Sequence, residues 1–97
     1  MASLFLRDAA RADLAEAFRW YEGRRSGLGR EFTHSVRFTL QAIEQNPEKY
    51  PLAADDTRKA SLRRFPYVVY YVILDSDVSV IAVMHSRRHP RRWKERR

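Results

Sequence analysis

The stretch YVVYYVIL, Tyr67 to Leu74, is apolar at every position and rich in β-branched and aromatic side chains. A strand with one wet face alternates apolar and polar residues, so a run without alternation implies cover on both faces and a central place in a sheet. Pro66 stands just before it, where it can open a strand without removing a donor from the middle of a ladder. Asp75-Ser76-Asp77 reads as a turn, and Val78 to Met84 as a second, nearly all-apolar strand. On the other side, Lys59 to Phe65 reads as a strand with Ala60 and Leu62 on one face and Lys59, Ser61 and Arg63 on the other. These three runs predict an antiparallel meander. Pro51 to Asp56 reads as a polar connection leading into it.

Further towards the N-terminus the apolar period changes. Leu28, Phe32, Val36, Leu40 and Ile43 recur at intervals of four and three, which is one face of a helix. Asn46-Pro47 ends it, because the residue before proline avoids the helical region. Ala10, Leu14, Ala17, Phe18 and Tyr21 form an earlier stripe, with Asp8 as the expected N-cap. Gly23 to Gly29 holds all three glycines of the chain and reads as the turn of a helical hairpin. Ser3 to Leu6 is short and apolar enough for an edge strand. The expectation is one α+β domain over residues 1–97, ordered β-α-α-β-β-β, with an antiparallel helical hairpin packed on a mainly antiparallel, curved sheet.

Composition removes several classes of function. The chain has 97 residues, 44% of them hydrophobic and 12% aromatic, enough for one modest core. It has no cysteine, which excludes disulfides, thiolate metal sites and a cysteine nucleophile. It contains no apolar run long enough to span a bilayer and no signal-peptide pattern, so the expected location is cytoplasmic, away from membranes. Nineteen Lys and Arg against 12 Asp and Glu give a net charge of +7. The excess is uneven: residues 1–57 carry 8 basic and 9 acidic side chains, residues 58–97 carry 11 and 3. A basic half dominated by arginine suits an anionic partner, either nucleic acid or an acidic protein segment.

The usual chemical motifs are missing. The glycines lack the preceding strand that a phosphate loop requires, and no serine sits in the context of a triad. His85 and His89 are four apart, but Pro90 interrupts the helix that would align them on a metal, so neither a metal nor a cofactor is expected. What stands out is a set of basic residues: Arg63 and Arg64 at the end of the first meander strand, and His85, Arg87, Arg88, Arg91 and Arg92 at and beyond the end of the third, followed by Trp93. In a meander the first and third strands end at the same side of the sheet, so these residues can form one surface for a target or partner. If that surface cleaved RNA, Arg63, Arg64 and Arg88 would stabilise the phosphorane-like transition state and His85 would move a proton. The tyrosines of the central strand read as core, and His34 as a surface residue.

Five segments, AFRWYE (17–22), GLGREF (27–32), NPEKYP (46–51), RRFPYVVYYVI (63–73) and VIAVMHSRRHPRRW (80–93), occur in an order and at intervals that resemble the RelE/ParE superfamily, the toxins of bacterial type II toxin–antitoxin (plasmid stabilisation) modules. The resemblance implies the β-α-α-β-β-β fold, growth arrest as the outcome of toxicity, and a cognate antitoxin whose acidic, amphipathic C-terminal segment wraps the toxin in a hetero-oligomer. It also implies one of two targets. ParE-like members inhibit DNA gyrase without cutting nucleic acid; RelE-like members cleave mRNA on the ribosome without a metal. No tyrosine follows Tyr71 and Ser86 follows His85, so the C-terminal tyrosine of many RelE-like enzymes has no counterpart. With the W-Y-E and G-L-G segments, this favours the ParE side. A non-toxic basic nucleic-acid-binding module is a third, minor expectation.

Overall fold

The computed structural model describes residues 3–88 and 92–96. Its elements are β1 (Leu4–Leu6), α1 (Asp8–Arg24), α2 (Leu28–Gln45), a 3₁₀ turn (Pro47–Lys49), β2 (Leu52–Ala54), β3 (Thr57–Ser61), β4 (Tyr67–Leu74), β5 (Asp77–His85) and a second 3₁₀ turn (Arg92–Arg96). Among the described residues the sheet has the order β1-β5-β4-β3-β2. β4 is thus the middle strand, as its unbroken apolar run requires, and Tyr67 to Val72 are all buried. β1 runs parallel to β5, and every other pairing is antiparallel.

The two helices cover one face. Ala10, Ala17 and Tyr21 of α1 and Phe32, Val36 and Ile43 of α2 pack on Tyr67, Val69, Tyr71, Val78, Val80 and Val83. The opposite face carries Val68, Tyr70, Val72, Ile81 and Met84, covered by Trp93 from the last 3₁₀ turn and by Ala53 and Ala54. α2 stops at Gln45, with Asn46 as its cap, at the expected boundary.

Several local expectations change. Gly23 and Gly29, read as part of the hairpin turn, lie inside α1 and α2, so the turn shrinks to residues 25–27. The connection Pro51 to Asp56 contains the short edge strand β2 and a turn at Asp55-Asp56, with Asp55 in the left-handed region (φ 46°). Three residues with a register shift bear no periodic signature, so only pairing to β3 makes them a strand. β3 begins two residues early, at Thr57, and ends at Ser61; the next residues turn through Arg64, whose φ is 71°. Asp8 is the first helical residue and not the cap. Arg7 takes that place with an extended backbone, because its N–H still bonds the Val80 carbonyl (3.0 Å) and continues β1. Phe18, expected in the core stripe, is 39% exposed and lies over the hairpin turn, close to Gly29.

Candidate functional site: two basic clusters at one end of the sheet

The β4–β5 ladder is irregular between Tyr70 and Tyr71, where Ile81 is the extra residue opposite. A bulge shifts the side-chain alternation by one. Val78 and Val80 face the helices before it, Ile81 and Met84 face away, and Val83 faces the helices again. His85 follows Val83 onto the helix side and meets Tyr67 edge-on, with ring centroids 5.4 Å apart.

Beyond the end of β1 this edge of β5 has no strand partner among the described residues, and side chains bond it instead. The Val83 N–H donates to Asp13 Oδ2 (2.9 Å), and the Arg96 guanidinium reaches the Ile81 carbonyl (3.3 Å). The same guanidinium grips both Asp13 oxygens, at 2.5 and 3.1 Å. Such a two-pronged pair is the strong form of a charge-assisted bond. Asp13 therefore ties α1, the bulged strand and the C-terminal 3₁₀ turn together.

Above this anchor lies a hollow lined by Glu16, Tyr67, His85, Arg88 and Arg92. His85 Nδ1 accepts the backbone N–H groups of Arg87 (3.1 Å) and Arg88 (3.3 Å), an arrangement that needs the ring proton on Nε2 in the neutral form. Burial pushes the Tyr67 phenol above its ordinary pKa; the Arg88 charge lowers it, and Glu16 and Asp13 add to the rise. Burial raises the neighbouring Tyr21 as well. Both phenols thus hold their protons throughout the neutral range. Arg88 also extends over the Trp20 ring, 5.2 Å from its centroid, and Arg24 approaches the same ring at 4.4 Å.

Arg63 and Arg64 lie at the same end of the sheet but face α2. The Ser35 hydroxyl donates to the Arg63 carbonyl (2.8 Å), and the Arg63 guanidinium lies 4.9 Å from the Phe38 ring centroid. The left-handed backbone at Arg64 accompanies its pairing with Glu31 at 2.7 Å, and Arg25 joins the same carboxylate at 3.2 Å. Hydrogen bonds from Arg64 and then Arg25 hold the Glu31 carboxyl below its ordinary pKa. Phe38 is 53% exposed, so this groove has an apolar floor, with Arg63, Arg64 and the carboxylate of Glu31 in its lining.

The expected residues therefore form two clusters with Tyr21, Phe65 and Tyr67 packed between them, in place of one continuous surface. Arg63 and Arg64 make the first; His85, Arg88 and Arg92 make the second, with Arg87 exposed beside them. Trp93, expected among the binding residues, is 4% exposed and stacks on Tyr70 (4.7 Å, 13°), so its ring belongs to the core of the second face. Arg91 and His89 lie outside the described residues. Sequence reasoning missed Asp13, Glu16, Tyr67 and Arg96 around the hollow, and Glu31 and Phe38 in the groove. Asp13 and Arg96 are 83 positions apart, and no local pattern links them. Phe38 did carry a signal, as an aromatic off the apolar stripe of α2. No helix among the described residues is long and apolar enough to cross a membrane.

Residues 4–90 match the family described as "ParE toxin of type II toxin-antitoxin system, parDE". A similar solved structure is that of the chromosomal ParDE toxin–antitoxin system from P. aeruginosa. It superposes with a TM-score of 0.79 at 16% identity, over 88% of this chain and 96% of that one. At that identity the likeness is one of fold. No curated protein sequence matches the chain. The family match spans nearly every element described above, from β1 to the end of the His85–Arg88 turn, and on that ground the chain belongs to the ParE toxins, the toxin half of a type II toxin–antitoxin module whose partner is a cognate antitoxin.

Proposed function

We propose that the protein acts in the bacterial cytoplasm as an inhibitor of DNA gyrase, held inactive by its antitoxin until that partner is lost. The observation that carries this reading is the match to the ParE branch over residues 4–90. A feature of the site supports it: Asp13 is committed to Arg96 and to the Val83 amide, which leaves this carboxylate a structural role. The test is a purified system of gyrase, ATP and plasmid DNA with added toxin. Accumulation of cleaved, enzyme-linked plasmid is the expected result; unchanged supercoiling at saturating toxin would overturn the reading.

One observation favours a second reading, a ribosome-dependent mRNA endonuclease. Glu16, Tyr67 and His85 share a hollow with Arg88 and Arg92, which puts proton-transfer groups beside cations. Programmed ribosomes incubated with toxin distinguish the two: cut mRNA selects the nuclease, intact mRNA the gyrase inhibitor. In either case we assign antitoxin recognition to the Phe38–Arg63–Arg64 groove. An acidic, amphipathic segment would place an apolar anchor on Phe38 and carboxylates on the arginines, so that burial supplies affinity and charge speeds association.

A further inference from the structure

Arg88 of the hollow also belongs to a second cluster, whose members on α1 neither target reading uses. Trp20 is 41% exposed on α1, with the Arg24 and Arg88 guanidiniums 4.4 and 5.2 Å from its ring centroid. Arg24 sits in the last turn of α1, one helical turn after Trp20, where the helix dipole favours a cation. Arg88 comes from the turn after β5, so the indole brings together cations from two separate elements. Neither arginine forms an ion pair among the described residues, in contrast to Arg25 and Arg64, which share Glu31. Arg87 is exposed beside Arg88, and Arg92 lines the neighbouring hollow.

We propose that Arg24, Trp20 and Arg88 form a clamp for the phosphate backbone of duplex DNA. A guanidinium stacked on a ring keeps its N–H edge free and pre-aimed, so it loses little freedom when it grips a phosphate. Two such groups on one rigid platform are suited to phosphates along a strand. An acidic peptide that needs an apolar anchor fits less well, because two guanidiniums lie against the Trp20 ring, whereas one lies against the more exposed Phe38. Glu16, one turn before Trp20, repels phosphate and limits the clamp to the Arg24 side. The inference rests on the gyrase reading for the source of the duplex, the DNA held by the enzyme, and on the clamp's own chemistry for binding.

The test is fluorescence anisotropy of a short labelled duplex with the full chain over a series of salt concentrations. Wild type is expected to bind with an affinity that falls as salt rises. Arg24→Gln with Arg88→Gln should lower affinity roughly tenfold and flatten the log–log salt slope by about 2, close to one per phosphate contact. The charge-matched pair Arg37→Gln with Lys59→Gln, on exposed positions of α2 and β3, should change affinity less than about twofold and leave the slope intact. Trp20→Leu keeps every charge and should still weaken binding, because both guanidiniums lose their platform. Melting curves check that each variant folds. Equal losses in both double variants, no binding by wild type, or clamp variants that lose a glutamate-rich peptide while keeping the duplex would each overturn the proposal. A toxin that binds duplex through the clamp but leaves gyrase unaffected defeats the gyrase reading alone. One that traps gyrase while its clamp variants bind duplex normally defeats the clamp alone.

Discussion

At the hairpin turn, one carboxylate caps a helix from outside it. Glu22, near the end of α1, accepts the N–H groups of Gly27 and Gly29, both at 2.9 Å, and so satisfies donors that α2 leaves open at its start. Those two bonds hold the Glu22 carboxyl below its ordinary pKa, so its stabilisation is complete above the unfolded value and is lost as pH falls through the lower, folded one. Glu22→Gln should therefore lower the melting temperature at pH 7, and the gap from wild type should close below about pH 4. A gap that persists undiminished in acid would show that charge is not the cause. Gly29 has its own constraint: a Cβ there would stand 2.8 Å from Phe18 Cε2 and 2.9 Å from Glu22 Oε1. Gly29→Ala should cost about 1–3 kcal/mol in urea unfolding, through overpacking and a disturbed cap. Inside the core, burial raises the fully buried Tyr71 phenol to about 12, and its hydroxyl donates to the Pro47 carbonyl at 2.6 Å. Tyr71→Phe should cost about 1 kcal/mol, the net value of such a bond, measured by the same unfolding.

Among the elements, the C-terminal 3₁₀ turn makes the contacts that its sequence shows least. Its basic sequence reads as irregular or briefly helical and says nothing of contacts, yet Trp93 seals one face of the sheet and Arg96 locks onto α1. Asp13→Asn and Arg96→Gln should each cost about 2 kcal/mol, and the double variant should lose far less than the sum, since the two share one interaction. Additive losses in a double-mutant cycle would refute the coupling. The same variants should become more sensitive to trypsin after Arg87 and Arg88. Elements with a strong period are legible in the sequence: the unalternating run of β4, the stripe of α2, the proline that ends it. β2 is not, because its three residues are held only by their neighbour in the sheet. The bulge at Ile81 is not either. It decides that His85 faces the helices, and a nearly all-apolar strand hides a change of alternation.

Taken whole, the molecule divides its positive charge by the chemistry of what lies beneath each part. Strand order alone correctly put Arg63, Arg64, His85 and Arg88 at one end of the sheet. It could not show that Tyr21, Phe65 and Tyr67 part them, because that depends on which way the intervening aromatics pack. The division predicts separable phenotypes. Arg63→Glu should weaken antitoxin binding by tenfold or more, at roughly 1.4 kcal/mol per decade, while free toxin still arrests growth. Arg88→Glu should blunt arrest with a smaller effect on antitoxin affinity, and Arg37→Glu should alter neither. Growth curves and titration of the complex check all three. The gyrase assignment itself is tested most directly by inducing the toxin in bacteria and following gyrase-linked chromosome breaks and ribosomal mRNA cleavage in the same culture. The account predicts breaks with intact transcripts; cut transcripts without breaks would contradict it.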